Sequence, residues 1–250
     1  MHRFYLPPAQ CAGDQLRLTG REAHHALHVL RLRPGETVTV LDGAGQALAC
    51  EVAALTRAEV ALKVRARNFI PPLPSQLTLI QALPKGKIIE AIIQKAVELG
   101  VQRVIPILSE RVVSQMDDHG AEGKREKWQQ VAVEAIKQSG AAWLPAVSAP
   151  VPLAQYLARP DPFDLALIGS LQAERSHPRV CLAEYHCRQG RPPASVGVWV
   201  GPEGDFTPDE VAAIQAAGAQ PITLGRLVLR VETAAIYCLS FLNYELNTPP

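Results

Sequence analysis

Apolar positions along the chain change their period near residue 72. Before it, the runs at 37–41, 46–53 and 59–66 alternate apolar and polar residues, with Val60, Leu62 and Val64 on one side of an extended chain. Alternation of this kind is the mark of half-buried strands, and the three runs predict a β-meander. After residue 72, short uninterrupted apolar runs at 77–82, 101–108, 165–168, 196–200 and 221–224 are separated by helical patterns. Ile88, Ile92, Ala96 and Leu99 share one helical face, as do Trp128, Val131, Ala135 and Ile136 over 124–139. Ala235, Ile236, Leu239 and Leu242 mark a last apolar helix. Strand and helix in repeated alternation predict an α/β unit: a parallel sheet covered by helices on both faces.

Turn and cap residues set the boundaries. The proline-rich stretch Ile70-Pro71-Pro72-Leu73-Pro74-Ser75 separates residues 1–71 from 72–250. Thr207-Pro208-Asp209-Glu210 has the form of a capping box with proline at the first helical position, so a helix starts at Thr207 and stops near Gly218. Thr19-Gly20-Arg21-Glu22 repeats the box ahead of a short helix carrying His24, His25 and His28. Asp42-Gly43-Ala44-Gly45 imitates a dinucleotide-type glycine motif, but it lacks the third glycine and strand residues follow it, so it reads as a hairpin turn. Residues 172–194 are polar, punctuated by proline and without an assignable element.

Composition narrows the class. With 250 residues, 48% of them hydrophobic, the chain can bury a sizeable core, and its longest apolar runs are of strand or helix length. Met-His-Arg-Phe-Tyr at the N-terminus is not a signal region, and the expectation is a soluble cytoplasmic protein without a membrane partner. The net charge of +1 hides an asymmetry. Residues 1–70 hold nine Lys and Arg against six Asp and Glu, with four of the seven histidines, while the remainder carries a small acidic excess. Five cysteines without a close pair argue against a disulfide framework. Neither His24 and His28 nor Cys181, His186 and Cys187 have the spacing of a standard metal site, so no metal is expected.

The candidate chemistry lies where apolar strands run into glycine loops. The strand at 196–200 ends in Gly201-Pro202-Glu203-Gly204, the strand at 165–168 in Gly169-Ser170, and the strand at 221–224 in Gly225. Ligands of parallel sheets bind past the carboxyl ends of strands, and glycines let the main chain approach them closely. The residues themselves are more specific than their spacing. Gly-Pro-Glu-Gly-Asp-Phe-Thr at 201–207, followed by Leu-Gly at 224–225 and Leu-Arg-Val-Glu-Thr-Ala at 229–234, resembles the signature of the bacterial small-subunit rRNA uridine N3-methyltransferases, the RsmE family of the SPOUT class. Pro84-Lys85-Gly86, residues 94–101 and Ser109-Glu110-Arg111 are similar to the opening of that family's catalytic domain. His24-His25 with Val29-Leu30-Arg31 resembles its N-terminal RNA-binding domain.

That resemblance implies a PUA-like β-barrel over 1–71 and a SPOUT α/β domain over 72–250, with a trefoil knot at about 195–245. It implies S-adenosylmethionine as cofactor, held by Ile168, Gly169, Val200, Gly201, Leu224, Gly225 and Leu229. For methylation of a uridine N3 in 16S rRNA of the small ribosomal subunit, Arg230, Glu232 and Glu203 are the candidate catalytic groups. A cation stabilises charge on the uracil carbonyls and a carboxylate accepts or orients the departing proton. Arg31, Arg33, His25 and Lys85 are the candidate RNA contacts. A homodimer is implied too, with Ile236, Leu239 and Phe241 on the apolar last helix as its contacts. The family carries Arg at Leu227, an acid at Lys137 and Arg at Ala141. Those departures leave one alternative, a noncatalytic RNA-binding or ribosome-assembly protein on the same fold.

Overall fold

In the computed structural model, which describes residues 2–111, 118–172 and 174–248, the alternating stretches form a five-stranded sheet. Its strands are β1 (His2–Tyr5), β2 (Gln15–Leu18), β3 (Thr37–Leu41), β4 (Gln46–Leu55) and β5 (Val60–Phe69), in the order β1-β3-β4-β5-β2. Only β1 and β3 are parallel. Inward positions such as Leu16, Leu18, Val38, Val40, Leu48 and Leu62 make the core. The meander is β3 to β5. The four-residue β1 and β2 are too short to show a period in the sequence. The glycine stretch is the predicted hairpin turn: Asp42 Oδ1 accepts from Ala44 N at 2.7 Å and Gln46 N at 2.8 Å, and Gly43 and Gly45 have φ of 73° and 99°.

The capping box foreseen at Thr19 does not form. Thr19 precedes α1 (Gly20–His24), but its side chain makes no cap bond. Glu22 instead faces Tyr5 N at 3.4 Å and Lys137 Nζ at 2.7 Å. Lys137 belongs to the segment Val133–Leu144, which forms one unit with Met1–Pro72. Its side chain is 7% exposed and also contacts Glu134 at 3.2 Å. Nearby, Arg3 Nη1 donates to the carbonyls of Lys137 at 3.3 Å and Gln138 at 2.9 Å. Lysine at 137 thus has a structural place. Breaking a buried ion pair strands the remaining charge, so Lys137→Met is expected to destabilise the chain by about 2–3 kcal/mol in urea unfolding, and Glu22→Gln added to it to restore most of that loss.

The second unit, Leu73–Ala132 with Pro145–Pro250, begins with β6 (Gln76–Ala82), α2 (Ile88–Glu98), β7 (Val101–Leu108) and the part of α3 (Asp118–Ser139) up to Ala132. The short β8 (Ala146–Val147), β9 (Val151–Pro152) and α4 (Leu153–Leu157) follow. It continues with β10 (Leu165–Gly169), α5 (Pro178–Gln189), β11 (Ser195–Val200), α6 (Pro208–Ala216), β12 (Ala219–Ile222) and α7 (Val231–Asn247). The strands form one parallel sheet, ordered β12-β10-β11-β6-β7-β8 with β9 beside β7. Ile80, Ile168 and Trp199 pack with Tyr156 of α4 and Val211 and Ile214 of α6. The alternate residues Leu79, Leu167 and Val198 are fully buried on the opposite face, where α2 and α7 pack together and α7 meets β6 and β11.

Two elements depart from the sequence reading. The strand expected at 221–224 lies at Ala219–Ile222, because pairing with β10 runs from Ala166 opposite Ala219 to Gly169 opposite Ile222, after which the chain leaves the sheet. Pro221, which has no N–H, is tolerated on this edge strand. Residues 178–189, left without an element, form α5: His177 Nδ1 accepts from Arg179 N at 3.2 Å, Pro178 opens the helix, and Gly190 closes it at φ 67°. Its buried positions are only Pro178, Cys181 and Tyr185, too few for a clear apolar stripe.

At the amino ends of β10 and β11, Asp164 accepts from both Arg191 Nη atoms, at 3.0 and 3.2 Å, and from Ala194 N at 2.7 Å. The Arg191 hydrogen bond is the largest cause of its lowered pKa, about 2. A carboxyl depressed on folding stabilises above its unfolded pKa, and that stability disappears as pH falls through the folded value. Asp164→Asn is therefore expected to cost about 1 kcal/mol at pH 7, allowing for solvent screening at this partly exposed site. The difference from wild type should close between about pH 4 and pH 2 in thermal melts.

Candidate active site

The carboxyl ends of β12, β10 and β11 are neighbours in the sheet, so the loops that follow them converge. Between these loops and the start of α7 lies a cavity of about 480 Å³. Gly169, Val200, Gly201, Glu203, Leu224, Gly225, Leu229, Arg230 and Glu232 all line it. Ile168 does not, being fully buried within β10 among the core residues that include Trp199. Leu224, Val200 and Leu229 make an apolar wall, while Arg175, Arg230, Glu203, Asp205 and Glu232 contribute charge at the rim.

Each loop is held by its own local chemistry. Thr207 and Glu210 form the full capping box of α6, with Thr207 Oγ1 accepting from Glu210 N at 3.3 Å and Glu210 Oε2 accepting from Thr207 N at 2.8 Å. The other oxygen of Glu210 accepts from Glu110 N at 2.7 Å, tying the end of β7 to the same helix. Between β11 and α6, Asp205 N donates to Pro202 O at 2.9 Å and Asp205 takes φ 58°. A Cβ on Gly201 would lie 2.9 Å from Asp205 Oδ1 and 3.2 Å from Phe206 N, so the turn closes only over glycine. Phe206 is fixed from behind by an edge-on contact with Trp199, which meets Tyr156 in the same way.

The other two loops interlock. Ser170 N donates to Ile222 O at 3.1 Å and Thr223 N to Ser176 O at 3.0 Å. Thr223 Oγ1 accepts from Gly225 N at 3.2 Å, and Gly225 sits at φ 111°. Arg175 Nη1 donates to Ser170 O at 2.9 Å, which brings a cation to the cavity from a stretch the sequence left unassigned. Its position depends on that tertiary bond, and nothing in the local sequence announces it. Leu227 and Val228, also in the lining, are 80% and 76% exposed.

Arg230 is the N-cap residue of α7 and Glu232 lies in that helix's first turn. Among the described residues no ion pair joins them, and no side chain there forms a hydrogen bond or ion pair with either one. Glu203 differs: its Oε1 accepts from Lys85 N at 2.9 Å, linking the loop after β11 to the loop after β6. None of the candidate RNA residues is among those that line this cavity. Arg31, at φ 54°, and Arg33 are exposed and His25 is half-buried in the first unit, while Lys85 is exposed beside Glu203. Among the described residues no three His, Cys, Asp or Glu side chains are grouped to hold a metal ion, and no helix is long and apolar enough to cross a membrane.

Comparison with known proteins gives consistent matches. Residues 71–243 match the model of an RNA methyltransferase domain, and residues 18–65 that of an RNA methyltransferase PUA domain. The chain is 32% identical to the ribosomal RNA small subunit methyltransferase E of Bacillus subtilis, covering 91% of this chain and 89% of that protein. Its counterpart in Synechocystis is also 32% identical, over 99% of this chain and 78% of the relative. Among solved structures, a putative methyltransferase from Legionella pneumophila in complex with the cofactor SAM superposes with a TM-score of 0.85, at 29% identity over 97% of each chain. A ribosomal RNA small subunit methyltransferase E from Neisseria gonorrhoeae, bound to S-adenosyl methionine, gives 0.83 at 29% identity over 98% of each.

Proposed function

The chain belongs to the RNA methyltransferase family, and from that membership we propose that it transfers a methyl group from S-adenosylmethionine to N3 of one uridine in the 16S rRNA of the small ribosomal subunit. The observation that carries this reading is the cavity at the three loops, whose apolar wall and close glycine approaches suit a nucleoside cofactor. Gly169, Val200, Gly201, Leu224, Gly225 and Leu229 would hold it, with Arg175 available to a carboxylate and the rim acids to an ammonium group. The bound cofactor supplies a methyl carbon already activated by a sulfonium.

The remaining work falls to the protein. Arg230 stabilises the negative charge that develops on the uracil carbonyls, and Glu232 accepts or orients the N3 proton. Glu203, engaged with Lys85 N, keeps the loop geometry and adds a carboxylate to the cavity lining. In the first unit, Arg31, Arg33 and His25 bind the RNA backbone, acting in the cytoplasm, where ribosomes are assembled.

Two finer features belong to the same reading. The trefoil threading of about 195–245 is supported by β12 lying beyond β10 and the chain returning as α7 beside β6 and β11. Homodimerisation is supported by the exposed apolar face of α7, where Tyr237 and Tyr244 are 49% and 68% exposed. Leu239, one of the residues assigned to that contact from the sequence, is instead in the monomer core at 1% exposure. The noncatalytic alternative loses one of its grounds in Lys137, which pairs with Glu22. Incubation with labelled S-adenosylmethionine and small subunits lacking the modification tests the proposal: label in 16S rRNA is expected, and its absence with intact cofactor binding would reject it.

A further inference from the structure

A second cavity, of about 410 Å³, opens beside the first, and Pro202 and Glu203 line both. It lies between the loop after β6, the start of α2, the N-terminal half of α3 and Arg111. Its floor is apolar, with Trp128 at 4% exposure, while its walls carry Lys85, Lys87, Arg111, Lys124 and Lys127 against only two carboxylates, Glu90 and Glu203. Lys127 is satisfied by Glu90 at 2.6 Å, and Arg111 donates to the carbonyls of Gly204 and Asp205. Glu203 is engaged by the Lys85 main-chain N–H at 2.9 Å rather than by a cation. Lys85, Lys87 and Lys124 have no carboxylate partner among the described residues. In a chain whose net charge is only +1, three ammonium groups without a carboxylate partner among the described residues, in one concave site, are a concentration of positive charge suited to a polyanion.

We propose that this cavity holds backbone phosphates of the RNA strand next to the methylated uridine, anchoring the strand so that the base reaches the neighbouring cavity. The inference rests on the function proposed above and adds a positioning subsite to it. Ammonium groups on flexible stems bind phosphates without reading sequence, as an anchor requires. Phosphate contacts on the flanking nucleotide also offset the cost of drawing a base out of its stack. Shared Pro202 and Glu203 mean that a strand seated here is one short loop from the cofactor cavity.

The test uses the full chain, small ribosomal subunits lacking the modification, and S-adenosylmethionine. The variant Lys85→Gln/Lys87→Gln/Lys124→Gln is expected to raise the KM for subunits by about tenfold or more, with kcat and cofactor affinity near wild type. Loss of three phosphate contacts should also flatten the dependence of log(1/KM) on log salt by about 2. Lys124→Gln alone should move both quantities in the same direction, which guards against a folding defect in the triple variant, and Lys95→Gln, an exposed lysine paired with Glu98 outside the cavity, should move neither. Wild-type KM and salt dependence in the triple variant would overturn the subsite while leaving the methyltransferase reading intact. No methyl transfer by wild type would overturn both.

Discussion

Replacing Arg230 by alanine is expected to lower the rate of methyl transfer by about 10²–10³-fold while cofactor affinity changes little. The side chain lines the cavity from the N-cap of α7 and makes no hydrogen bond to that helix, so its loss costs the fold almost nothing. Its value arises only when the uracil loses its N3 proton and charge spreads to the carbonyl oxygens, which makes the loss one of kcat rather than KM. Glu232→Gln tests the partner role: it keeps shape and hydrogen bonding but removes the proton acceptor, and a fall of about 10²-fold is expected, partly recovered at higher pH. Single-turnover transfer at saturating cofactor is the measurement. Wild-type rates in both variants would remove Arg230 and Glu232 from the chemistry.

Gly201→Ala is expected to weaken S-adenosylmethionine binding by at least about tenfold, and Gly201→Val to abolish it within the range of calorimetry. The added Cβ would stand 2.9 Å from Asp205 Oδ1 and 3.2 Å from Phe206 N. Asp205 cannot simply yield, since Oδ1 accepts from Phe206 N at 2.8 Å and its main-chain N–H closes the turn onto Pro202 O. The loop must therefore move, and it forms a wall of the cavity. The strand before it and the capped helix after it remain, so thermal stability should fall far less than affinity. By contrast, a Cβ on Gly218 meets nothing within 4 Å and that residue lies outside the cavity, so Gly218→Ala should leave cofactor binding unchanged despite the backbone strain at φ 99°.

The fold was legible where local chemistry and tertiary packing agree. Thr207-Pro208-Asp209-Glu210 forms the box it spells, because both partners of each bond lie within one turn. The same spelling at Thr19 fails because Glu22 is taken up by distant partners, Lys137, 115 residues away in sequence, and the main-chain N–H of Tyr5. Glycine loops marked the cavity because close approach of main chain leaves few alternatives to glycine, as at Gly201. Arg175 was illegible for the opposite reason: an arginine in a polar stretch looks like surface until a carbonyl such as that of Ser170 fixes it. The second cavity draws Lys85 and Lys87 from one loop, Lys124 from α3 and Arg111 from the end of β7, and no spacing in the sequence foretells that meeting. The resemblance implies Ile168 at the cofactor, yet alternation along β10 turns its side chain into the core.

The atom that receives the methyl group can be identified directly. Small subunits lacking the modification are incubated with the wild-type chain and isotopically labelled S-adenosylmethionine, and the 16S rRNA is digested to nucleosides for mass spectrometry. Labelled 3-methyluridine is expected, at about one methyl per subunit, with no other labelled nucleoside. A different methylated nucleoside, or no label in rRNA from a chain that still binds the cofactor, would contradict the proposed methyl transfer to N3.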